Sequence, residues 1–127
     1  MEPVSEFKSK SGLKRIYSAC LYSIDGFKSA WEHEHAFRQE VSVFVVGTII
    51  ALVLRISAFE KLMLIGVLML ILIVELINSS IEAVVDRVSL ERHPLSKNAK
   101  DFGSAAVLLT CLLATAAWAV VLFNRFY

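Results

Sequence analysis

Two acids and an amide stand inside a greasy segment, LMLIGVLMLILIVELINSSIEAVV at Leu62–Val85: they are Glu75, Asn78 and Glu82. A helix advances about 100° per residue, which puts Asn78 near −60° from Glu75, Ser79 near +40°, Glu82 near −20° and Asp86 near +20°. The polar side chains then share one stripe about 100° wide on an otherwise aliphatic cylinder. A carboxylate at membrane depth costs roughly 2.5–3.5 kcal/mol or more, a cost normally offset by partners facing protein, an ion or water. Hard oxygen ligands such as Glu34 and Glu82 suit Mg²⁺, which takes one or two carboxylates plus phosphate oxygens. Glu75 lies about 10 Å deeper than Glu82 and, set in an apolar wall, suits a general base. Lys100 with a nearby arginine would hold phosphate charge. These residues describe a phosphoryl-transfer site at a water–lipid boundary. Buried acids serve an ion or proton pathway equally well, so the residues alone leave enzyme and transporter open.

The elements that must position this stripe are membrane helices. Hydrophobic residues make up 57% of the 127 and mean hydropathy is +0.64, too apolar for an ordinary soluble domain. Three stretches approach the roughly 20 apolar residues a span needs: Val41–Leu54, Leu62–Val85 and Ala105–Phe123. The first is short and lengthens by tilt, by Ala36–Phe37 and by snorkelling of Arg55. Of the 13 Lys and Arg, ten flank one side (Lys8, Lys10, Lys14, Arg15, Lys28, Arg38, Arg87, Arg92, Lys97, Lys100) and three the other (Arg55, Lys61, Arg125). The positive-inside rule then predicts a cytoplasmic N-terminus and an outer C-terminus, in a bacterial inner membrane. Residues 1–12 lack an apolar h-region, so no signal peptide is expected. The chain has no GxxxxGK[ST] and none of the Gly-rich or HRD signatures of protein kinases. No feature points to nucleic acid or to a soluble protein partner.

Met1–Ser11 is polar and expected to fray. Leu13, Ile16, Tyr17, Cys20, Leu21, Ile24 and Phe27 follow the i, i+3, i+4 pattern, predicting an amphipathic helix on the membrane surface. EHEHAFRQE at Glu32–Glu40 reads as a polar joint, with Glu34 and Arg38 four apart and placed to pair. His33 and His35 are two apart and point to opposite sides of a helix, which argues against a metal site. Arg55–Lys61 reads as a short outer loop and Asp86–Asp101 as a cytoplasmic one, where Pro94 breaks the helix and Ser96 caps the next. Trp118 and Tyr127 are placed as interface anchors at the outer end, although packing or a lipid-facing position suits Trp118 equally. Cys20 and Cys111 lack metal-ligand spacing and are not expected to form a disulfide.

ELINSSIEAVVDR followed by HPLSKNAKDFGSAAV resembles the signature of the small prokaryotic diacylglycerol kinases. Ala30–Trp31 and E-x-x-F-R-Q-E at Glu34–Glu40 are similar to the Gram-negative branch. The resemblance runs from about residue 12 onward. It implies an all-α membrane protein of one domain over 1–127, with a surface helix at 12–31 and transmembrane helices at about 36–57, 62–85 and 102–123. It further implies a homotrimer with sites between protomers, and transfer of the γ-phosphate of MgATP to diacylglycerol, giving phosphatidate.

By the same resemblance Glu75 is the catalytic base, Asn78 orders the site, and Glu34 and Glu82 hold Mg²⁺ on the ATP phosphates. Arg15, Tyr22, Glu91, Arg92, His93, Lys100 and Asp101 fall where the family touches ATP. Lys28, Ser29, Ala30, Trp31, Ala36, Phe37, Arg38, Gln39, Glu40 and Ser104, together with Glu75, fall along its lipid-binding surface. The chain departs from the usual pattern at Asp25, His33, Arg92 and Pro94, which touches the nucleotide-side loop and not the acidic set. A polyprenol (undecaprenol) kinase of the same fold is the alternative, and the FRQE element argues against it. A non-enzymatic ion or proton pathway subunit is the remote one.

Overall fold

Why these residues form four helices is largely settled at the helix ends. The computed structural model describes residues 12–127; the polar stretch Met1–Ser11 lies outside them. The first helix, α1, spans Leu13–His33 and starts after Gly12, whose φ of 63° suits a residue without Cβ. It ends at Glu34, the single extended residue (φ −110°, ψ 104°) before α2 at His35–Val53. The expected Glu34–Arg38 pair does not form. Arg38 Nη1 instead donates to the carbonyls of Trp31 at 2.7 Å and Glu32 at 3.3 Å. A guanidinium there meets the partial negative charge and the unpaired carbonyls of the α1 terminus, and so fixes the corner between α1 and α2.

The outer loop is shorter than expected, because α3 begins at Ala58 and runs to Val88. Ser57 and Glu60 form a capping box: Glu60 N–H donates to Ser57 Oγ at 3.1 Å, and Ser57 N–H donates to Glu60 Oε2 at 2.8 Å. The last helix, α4, spans Pro94–Phe126. Ser96 does not cap it. His93 does, its Nδ1 accepting from Leu95 N–H at 3.1 Å, and Pro94 occupies the first turn. Proline lacks a donor that would be unpaired there anyway, so it starts this helix as well as ending the loop.

Among the described residues there is no strand. Three helices, α2, α3 and α4, are long and apolar enough to cross a membrane. The 31 residues of α3 and 33 of α4 extend about 46 and 50 Å, against a hydrocarbon core of about 30 Å. Both helices are therefore longer than such a core, and their turns nearest the α3–α4 loop carry Glu82 and Asp86 on α3 and Lys100 and Asp101 on α4.

The middle position belongs to α3, with α2 and α4 packed against it. One cluster joins Ala51, Leu64 and Val121; a second joins Leu68, Ile71 and Ala114. Gly47 lets α2 approach: a Cβ there would collide with Leu68 Cδ1 and reach 3.4 Å from Trp118 Cζ2. Trp118 turns inward onto α3, where its Nε1 donates to the Leu64 carbonyl at 3.3 Å. That contact corrects its reading as an outer interface anchor, since a half-buried indole N–H takes the acceptor available to it.

Candidate active site

The polar stripe of α3 faces protein. Glu75 and Asn78 are the buried polar residues of that helix, at 6% and 8% exposure, and Glu82 one turn on is half-buried. The helical spacing of 75, 78 and 82 puts all three on the side that also buries Leu64, Leu68 and Ile71, so the packing that buries the leucines carries the acids inward too. Asn78 Nδ2 donates to Glu82 Oε1 at 3.4 Å.

Glu40, the last charged residue before the apolar run of α2, lies beside the Glu75 carboxyl, close enough to act on it. Glu34 and Glu82 lie close enough to act on Glu75 by charge. Glu34, Glu40 and Glu82, from the α1–α2 corner, α2 and α3, thus all lie within charge reach of Glu75. Two buried oxygens there lack a protein partner: Glu40 Oε2 and Asn78 Oδ1. A buried acceptor without a donor is costly and marks a place where a donor or cation completes the set.

Opposite Asn78, α4 presents Gly103. A Cβ at that position would collide with Asn78 Oδ1 and sit 3.2 Å from its Cγ. Gly103 is thus the gap in α4 that admits the Asn78 amide. Sequence reasoning passed over it; its signal is a glycine inside a long helix two residues after the Lys100–Asp101 pair, where only packing justifies its propensity cost.

A second part of the site lies where α3 and α4 leave the apolar region. Glu91, Arg92, His93, Lys100 and Asp101 line one open cleft of about 640 Å³, together with Asp86 and Lys97. Lys100 Nζ donates to Asp86 Oδ1 at 2.7 Å, clamping α4 to the end of α3. Lys97 pairs with Asp101 one turn away on α4. Both pairs are largely exposed, so they contribute little to stability and can exchange partners when an anion enters. Asp86 thus anchors the loop through Lys100.

A third hollow of about 450 Å³ separates α1 from α3 and is lined by Ser29, Ala30, Glu34, Ser79 and Ala83, among others. Ala30 and Phe37 are buried at the α1–α2 corner. Trp31, Ala36, Gln39 and Ser104 are exposed, and Arg38 is committed to the α1 carbonyls. Arg15 and Lys28 are exposed on α1 and Tyr22 is half-buried there; none of the three lines the loop cleft. Of the expected residues, Glu91, Arg92, His93, Lys100 and Asp101 line the loop cleft and Ser29, Ala30 and Glu34 the corner hollow, while Arg15, Tyr22, Lys28, Trp31, Ala36, Phe37, Arg38, Gln39 and Ser104 line neither.

Among the described residues no group of three or more His, Cys, Asp or Glu side chains is disposed to hold a metal ion. Glu34 and Glu82 are hard oxygen donors within charge reach of Glu75, and Glu82 is bonded to Asn78, whose Oδ1 is unpartnered. That set fits a divalent cation whose remaining ligands are phosphate oxygens and water, the usual habit of Mg²⁺, and does not fit a closed protein cage.

Fold and site together define a small helical membrane protein with an acidic centre at the end of its spans and a mixed-charge cleft beside it. The prokaryotic diacylglycerol kinase family model matches residues 21–122, and the chain belongs to that family. It is similar to the diacylglycerol kinase of Pseudomonas aeruginosa, at 54% identity over 94% of this chain and 98% of that one. It is 45% identical to that of Escherichia coli K12, over 91% of this chain and 95% of the relative. With that of Haemophilus influenzae the identity is 36% over 89% and 96%.

Proposed function

We propose that this protein phosphorylates diacylglycerol with ATP at the inner face of the bacterial cytoplasmic membrane, and that it works as a homotrimer. The observation that carries the proposal is a buried Glu75 within charge reach of Glu34, Glu40 and Glu82, with a loop cleft lined by Lys100 and His93 at the end of the same helices, in a chain of this family.

Diacylglycerol is dissolved in the bilayer and its one hydroxyl sits at the interface, so the acceptor approaches from the lipid side. Glu75 takes the proton of that primary hydroxyl as its oxygen attacks the γ-phosphorus. The bond from the γ-phosphorus to the bridging oxygen breaks, and ADP leaves with the electron pair. Glu40 stands beside the Glu75 carboxyl, and the Asn78 amide holds Glu82. Lys100 exchanges Asp86 for phosphate oxygen, and Glu91, Arg92 and His93 form the cleft wall. Glu34 and Glu82 would hold Mg²⁺, which when bound neutralises charge on the phosphate oxygens. Ser29, Ala30 and the α1–α2 corner border the lipid's path.

Lysine and arginine at the loop end, with Arg55, Lys61 and Arg125 at the other, orient the N-terminus to the cytoplasm and the C-terminus to the periplasm. The apolar side of α1, with Leu13, Ile16, Tyr17, Ile24 and Phe27 exposed, fits a helix lying on the membrane surface. Labelled ATP offered to the purified protein with diacylglycerol should give labelled phosphatidate. Label passing to a polyprenol and not to diacylglycerol would overturn the substrate assignment.

A further inference from the structure

At the end of the molecule away from the acidic site, a hollow of about 510 Å³ is lined by Arg55, Ile56, Ser57, Glu60, Asn124 and Arg125. It lies between the α2–α3 loop and the last turn of α4. Its depth follows from charge spacing. No charged residue falls between Glu40 and Arg55, or between Asp101 and Arg125. The two arginines are thus the first charges beyond uncharged runs of two different helices, which sets both at the headgroup level of the same face.

Neither guanidinium makes an ion pair or hydrogen bond with the described residues of its own chain. Among the described residues the ion pairs are Lys97–Asp101 and Lys100–Asp86. Glu60, the one carboxylate of the hollow, is turned onto the Ser57 N–H as half of the capping box. Lys61, the other cation nearby, is committed to the Leu52 carbonyl at 2.8 Å. Arg125 lies over the Phe126 ring at 5.4 Å, which orients the guanidinium without neutralising it. Phe59, Phe123, Phe126 and Tyr127 stand exposed on the elements bordering the hollow. Two planar forks against one carboxylate leave the hollow net positive, and with its hydroxyl and amide groups and aromatic collar it suits a phosphodiester with acyl chains.

The geometry points to a binding site for the phosphate headgroup of an anionic phospholipid, held by Arg55 and Arg125 at the membrane face opposite the kinase centre. It is independent of the activity proposed above. Headgroup and inorganic phosphate share the same chemistry, so the test separates them.

The purified full-length protein would be mixed in detergent with phosphatidylglycerol or phosphatidylcholine, and bound lipid counted by native mass spectrometry. Wild type should prefer phosphatidylglycerol, and Arg55→Gln/Arg125→Gln should lose about tenfold or more of that preference. The charge-retaining Arg55→Lys/Arg125→Lys pair should keep most of it. Circular dichroism and kinase activity report whether each variant is folded. Displacement of phosphatidylglycerol by millimolar inorganic phosphate supports the anion site and assigns it to the free ion; resistance to it supports the lipid. Equal retention of the two lipids by wild type, a result needing no variant, overturns the proposal. So does an unchanged preference in the folded glutamine variant.

Discussion

Glu82 and Asn78 stand one turn apart and share an amide-to-carboxylate hydrogen bond, so each depends on the other for its rotamer. Glu82→Ala should raise the Mg²⁺ and ATP concentrations needed for half-maximal rate by about 10–100-fold; saturation curves equal to wild type would remove the metal role. Gly103→Ala tests the contact from the α4 side. Its methyl would occupy the space of Asn78 Oδ1, so the amide must swing away from Glu82. An overpacking cost of about 1–3 kcal/mol is expected, read as a lower melting temperature in detergent together with a fall in kcat. The Glu75, Asn78 and Glu82 stripe is visible in the sequence because its background is aliphatic and its spacing is helical. The placement of Glu40 beside Glu75 is not. It depends on where α2 crosses α3, and no periodicity within one helix encodes that. Glu40 closes the charge-rich run EHEHAFRQE, and the resemblance places it on the lipid-binding surface without pairing it to Glu75.

Helix ends explain where element boundaries were legible. Ser57-x-x-Glu60 is a readable capping box, yet its position between two apolar runs lets it pass for loop, and α3 gains its first turn from it. Pro94 breaks one helix and opens the next, so a stop signal conceals a start one residue after His93. Ser57→Ala should cost about 1 kcal/mol, with a range of 0.5–2, and lower the melting temperature by a few degrees without changing the kinase rate constant. Gly47→Val should do more. A branched side chain there would force Leu68 aside and push α2 off α3. Glu40 would be carried away from Glu75 with it, so both melting temperature and rate should fall. A loss of stability with full activity would show that α2 does not hold Glu40 in place.

For the whole molecule, the dominant fact is how little the single chain buries. No more than 28% of the most apolar window of any spanning helix is enclosed, and the residues that pack the centre are mainly small or aliphatic: Ala51, Ala114, Leu64, Leu68 and Val121. Hydrophobic pattern therefore tells that these helices span a membrane but not which faces meet lipid and which meet another copy, because both surroundings are apolar. The proposed trimer predicts a protein mass three times 14.2 kDa by light scattering corrected for detergent; a monomeric mass in a fully active sample would remove it. The most direct test of the account joins all scales at one atom. Glu75→Gln keeps the shape of the side chain and removes its capacity to accept the hydroxyl proton. Phosphatidate formation from labelled ATP and diacylglycerol should fall by roughly 10²–10⁴-fold, with helix content and oligomeric mass unchanged. A folded Glu75→Gln protein that phosphorylates diacylglycerol at the wild-type rate would contradict it.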